Sequence, residues 1–161
     1  MDEKIDFTKF VERKPEKVTW MEFQESSGFE ICFRYISRVQ LNAIFTRHTK
    51  NPFRKSIGAR EARLDTKGWN REFASNTIDG WRGLTVGVLK SIAAVNVQMA
   101  KEVSDDTEIP YSVDMAEILL EEVYDFDRFC LEAATDISNY RTFGEISEDA
   151  AKNLSSTHDG T

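Results

Sequence analysis

From Phe29 to Ile36 the chain alternates. Phe29, Ile31, Phe33 and Tyr35 fall on one side of an extended strand, and Glu30, Cys32 and Arg34 fall on the other. The preceding run Val18–Phe23 is also rich in strand formers, and Gln24-Glu-Ser-Ser-Gly28 supplies a loop that ends in glycine. Together they predict a β-hairpin with one strongly apolar face. Two strands alone are only marginally stable in water, so a helix has to cover that face. Most of the remaining sequence must therefore supply helix.

It does so in short, capped pieces. Ser37-Arg-Val-Gln40 has the spacing of a capping box and opens a helix carrying Leu41, Ile44, Phe45 and His48, which Pro52 should end near Lys50. Residues 51–58 read as a basic loop around Phe53. Ala59 to Ile78 reads as helix with a restart at Asp65; Trp69, Phe73 and Thr77 share a face, and Gly80 sits as the left-handed residue past its end. Thr85 caps a helix to about Val103 with a stripe of Val88, Leu89, Ile92, Val95 and Met99. Ser112 caps another with Met115, Ala116, Leu119, Leu120 and Val123 inward. Asp125 caps a last one, lined by Phe126, Phe129, Cys130, Ala133, Ile137 and Tyr140.

The predicted fold is α+β and mainly α, an N-terminal hairpin packed on a small bundle of about five helices. Residues 1–17 are expected to be a flexible arm and 144–161 a disordered polar tail. A single domain spans 18–143, with the hairpin and first helix in 18–58 and the helical bundle in 59–143. Hydrophobic residues make up 40 % of the chain and eleven are Phe, enough for a core of that size.

Several function classes lack their elements. No apolar run approaches the roughly 20 residues of a membrane span, and the opening Met-Asp-Glu-Lys-Ile-Asp is too acidic for a secretory signal. Cys32, Cys130, His48 and His158 lack metal-site spacing; the two cysteines read as buried thiols. Gly80-Trp-Arg-Gly83 is too short for a phosphate loop and lacks its Lys and Ser/Thr. No serine has a nucleophile-elbow context, and His48 shows neither an orienting partner nor a positioned substrate. The reading is a protein that is not an enzyme and needs no cofactor or metal.

Charge is segregated. Ten Lys/Arg against two Asp/Glu lie between Arg34 and Arg71, and twelve Asp/Glu against one Arg between Glu102 and Asp136. Such blocks either pack on each other within one molecule or pair head to tail in a homo-oligomer. Arg47, Lys50, Arg54, Lys55, Arg60 and Arg63 form a basic patch that could neutralise phosphates, yet the whole chain carries a net charge of −7, which weighs against nucleic acid. Trp81 reads first as a hydrophobic plug between Gly80 and Gly83. Read as a partner anchor, it joins Leu84 and Tyr111, while exposed members of Leu89, Ile92, Leu119 and Leu120 would line an apolar groove.

Trp81-Arg-Gly-Leu-Thr85, the helix after it, Ile109-Pro-Tyr-Ser-Val-Asp-Met-Ala-Glu-Ile-Leu-Leu120 and the final Phe-rich helix resemble tail assembly chaperones of tailed bacteriophages and prophages. Trp69-Asn-Arg-Glu-Phe-Ala74 is similar to the segment before the Trp-Gly connector there, and the resemblance covers about residues 64–143. It implies a non-catalytic protein in the cytoplasm of the bacterial host. Such a protein transiently binds the long helical tape-measure protein, keeps it soluble and helps recruit tail-tube subunits. Two other readings compete. One is a phage-encoded regulator whose basic block contacts nucleic acid, the other a structural tail or connector subunit of the virion.

Overall fold

The computed structural model describes residues 18–51, 53–54, 59–60 and 62–140. The expected arm and tail, and Lys55 of the basic patch, lie outside them. The elements run β1 (Val18–Glu22), β2 (Glu30–Arg34), α1 (Arg38–His48), β3 (Thr49–Lys50), β4 (Phe53–Arg54), β5 (Ala59–Arg60), β6 (Arg63–Leu64), α2 (Thr66–Thr77), β7 (Ile78–Arg82), α3 (Val86–Ile92), α4 (Val97–Ala100), α5 (Val113–Glu122) and α6 (Phe126–Thr135). A 3₁₀ turn at Ile137–Tyr140 follows. The fold is α+β and mainly α, as the sequence predicts.

β1 and β2 form the expected antiparallel pair, in register from Val18 opposite Arg34 to Glu22 opposite Glu30. Phe29, Ile31 and Phe33 are fully buried. The cover they require is α6: Phe126 stacks on Phe29 with ring centroids 6.0 Å apart, and Phe23 meets Phe126 edge-on at 5.1 Å. Such ring pairs add about 0.5–1.5 kcal/mol each beyond the area they bury.

The sheet has a third strand where the sequence predicts a helix end and a connector. β7 pairs antiparallel with β2. Helix α2 stops at Thr77, and Gly80 lies in the strand with no left-handed backbone. The left-handed glycine of this region is Gly83, φ +73°. A Cβ there would stand 1.9 Å from the carbonyl oxygen of Gly28, so the two loops touch backbone to backbone.

Other boundaries also move. The expected helix over residues 59–78 begins only at Thr66, where the Asp65 side chain accepts from the Gly68 amide; β5 and β6 precede it and pair back to β4 and β3. The helix expected from Thr85 to Val103 ends at Ile92, because only its first two turns reach the core. Asn96 then caps a separate short turn through the amides of Gln98 and Met99. Ser37 and Gln40 make the reciprocal capping box, and Ser112 accepts from the Met115 amide. Asp125 occupies its cap position with φ 60° and makes no side-chain cap bond; it pairs instead with Arg128 at 3.3 Å. Among the described residues no helix is long and apolar enough to cross a membrane.

Candidate polypeptide-binding groove

The connector around Trp81 is a clasp rather than a free anchor. The Trp81 indole N–H donates to the Ile109 carbonyl at 2.8 Å, and the Tyr111 hydroxyl donates to the Ile78 carbonyl at 2.9 Å. The two rings meet edge-on at 4.9 Å. Burial pushes the Tyr111 phenol above its ordinary range. The amide of Ile109 also donates to the Leu84 carbonyl at 2.7 Å. Residues 108–111 therefore cover the outer side of β7, as an otherwise open sheet edge requires.

Three proposed partner contacts belong to the core. Leu84, Leu119 and Leu120 keep 1 %, 1 % and 6 % of their surface exposed. Leu89 and Ile92 are half-buried and pack against the same core. The helical stripes that carry these residues build the bundle; of them, Leu120 also borders a hollow.

A different groove, of about 480 Å³, opens between α2, α5 and α6. Trp69 and Phe73 form one wall, stacked 5.9 Å apart at 20°. Leu120 lies at the base, while Leu64 and Leu131, 40 % and 38 % exposed, stand at the margins. Phe45 of α1, 48 % exposed, meets Trp69 edge-on and carries the apolar strip further. Glu121, Asp127 and Arg128 edge the groove. An adjoining hollow at the α5–α6 corner shares Leu120, Glu121 and Asp127 and adds Glu122, Tyr124 and Asp125.

A second, polar hollow of about 410 Å³ lies between β2, α1 and α2, bordered by Arg34, Gln40, Arg47 and Asn76. Its polar groups are engaged within the fold. Arg34 reaches Asp79 at 2.9 Å, Arg47 reaches Glu72, the Gln40 carbonyl serves the Ser37 cap, and the Asn76 amide donates to the Glu72 carbonyl.

His48 has an orienting partner that the sequence did not reveal. Its Nε2 donates to Glu72 at 2.5 Å, and Arg47 binds the same carboxylate. Both partners hold the Glu72 carboxyl below its usual range, Arg47 contributing most. Gly68 makes room for this ring: a Cβ there would stand 2.6 Å from His48 Nδ1. The cluster fastens α1 to α2. Neither the groove nor the polar hollow includes His48 or Glu72.

The basic patch divides. Arg47 is paired as above, Lys50 and Arg63 are exposed on the paired strands β3 and β6, and Arg54 and Arg60 lie on the β4–β5 pair. Cys130 is fully buried and its thiol is pushed well up by that burial; Cys32 is buried on the opposite face of β2. Among the described residues no group of three or more His, Cys, Asp or Glu is placed to hold a metal ion. Compared with protein-family models, with curated proteins and with solved structures, the chain matches none.

Proposed function

We propose that this protein is a non-catalytic assembly chaperone of the phage-tail type. It transiently holds a tape-measure protein in the cytoplasm of the bacterial host and assists assembly of the tail tube. The observation that carries this reading is the open apolar groove of Leu64, Trp69, Phe73, Leu120 and Leu131. Leu64 and Leu131 are exposed there and Trp69 is half-buried, over a floor of buried Phe73 and Leu120; apolar surface gathered in one concavity is favourably covered by a partner, and a helix laid in a groove is a recurring way to cover it. The resemblance of residues 64–143 to tail assembly chaperones supports the same reading.

Co-expression with a tape-measure protein from the same genome tests the proposal. The soluble fraction of that protein should rise several-fold, and Leu131→Asp, a change at an exposed margin, should remove most of the gain without unfolding the chaperone. No gain with the unaltered protein would sink the reading.

A further inference from the structure

We infer that the groove selects helices whose apolar stripe is flanked by lysine or arginine. This rests on the polypeptide-binding reading above and adds a chemical preference to it. The apolar strip runs directly into an acidic corner, since the groove and the hollow beside it share Leu120, Glu121 and Asp127. Together they are bordered by four carboxylates and one guanidinium. Arg128 is committed to Asp125 at 3.3 Å, which leaves Glu121, Glu122 and Asp127 without an ion pair among the described residues. Three like charges gathered at one corner repel each other, and a bound cation relieves that repulsion.

The occupant's secondary structure follows from the walls. They come mainly from three helices, and the strand at the margin, β6, is two residues long and already paired to β3. An extended segment would find little backbone to bond, whereas the side-chain ridge of a helix can seat on Leu64, Trp69 and Leu131. The occupant is thus a basic amphipathic helix. Its apolar positions recur at i, i+4 and i+7, and its cationic side chains reach the corner that ends at Tyr124, which is 85 % exposed.

Labelled helical peptides of about 18 residues with one leucine stripe test this by fluorescence anisotropy against the full chain. One peptide carries Lys beside the stripe, a second Glu, and a third is a scramble of the first. The Lys peptide should bind at least about tenfold more tightly than the Glu peptide, and salt should narrow the gap. Glu121→Lys with Asp127→Lys should abolish or invert the preference, while Leu131→Asp should weaken both peptides. Circular dichroism checks that each variant is folded.

Equal binding of the two peptides, or a preference that survives reversal of the rim, would overturn the inference. The wider reading would still stand if co-expression had raised the solubility of the tape-measure protein. Absence of both peptide binding and the solubility gain would remove both. Self-association abolished by Leu131→Asp would assign the groove to a second copy, and would also overturn the inference.

Discussion

At Gly83 the backbone has φ +73°, and an added Cβ would collide with the Gly28 carbonyl oxygen at 1.9 Å. The obstacle is backbone, so no rotamer change relieves it. Gly83→Ala should therefore destabilise the fold by at least about 2 kcal/mol, combining the left-handed conformation with a forced separation of two loops. Gly80, three residues earlier, is the control. Its φ is ordinary and nothing lies within 4 Å of the position a Cβ would take. Gly80→Ala should stay within about 0.5 kcal/mol of the unaltered protein or gain slightly, since alanine sits better than glycine in a strand. Urea midpoints of the two variants decide it; equal loss at both positions would contradict the contact between the loops.

Among the elements, α1 depends on one carboxylate. Glu72 accepts from Arg47 and His48, so α1 is tied to α2 where only Ile44 of α1 is buried. The folded state holds Glu72 below the carboxyl range of an unfolded chain, chiefly through Arg47. Its contribution to stability is then complete above the ordinary carboxyl range and is lost as pH falls through the lower, folded value. Glu72→Gln should lower the urea midpoint near neutral pH and flatten its fall on the acid side. An unchanged acid slope would show that other carboxylates set it. The caps Ser37, Thr85 and Ser112, and the helix start at Asp65, were legible in the sequence because a cap is a local bond, made within three residues; Asp125 offered the same signal, yet its left-handed backbone goes with no side-chain cap bond. β7 was not. Ile78-Asp-Gly-Trp-Arg contains a glycine and two charges and has no alternation, and it becomes a strand only because β2 offers its second edge. The groove was hidden for a related reason: Leu64, Trp69 and Leu131 belong to three segments and meet only after α2, α5 and α6 pack.

For the molecule as a whole, the segregated charge is first an internal device. Lys67 and Arg71 of the basic block reach Glu117 of the acidic block at 3.8 and 3.2 Å, and Arg71 also reaches Asp114 at 2.5 Å. The two blocks meet where α2 packs on α5. The three contacts are unequal. Asp114 is 77 % exposed, so its pair is screened by water and contributes little. Glu117 keeps only 8 % of its side chain exposed and has given up most of its hydration, so it depends on Arg71. This asymmetry predicts a context effect. Arg71→Ala in the unaltered protein strands a buried carboxylate with Lys67 alone and should lower the melting temperature by about 2–5 °C. Glu117→Leu removes the buried charge together with its need for a partner, and should itself cost less than about 1 kcal/mol. Arg71→Ala introduced into that background should then hardly move the melting temperature, because only the exposed Asp114 pair remains to be lost. Equal effects of Arg71→Ala in both backgrounds would mean that Glu117 is solvated by other means, and that the charge blocks do not fasten α2 to α5. If the context effect is found, part of the opposed charge is spent inside one molecule, and the acidic side chains still unpaired at the α5–α6 corner remain to act on a partner.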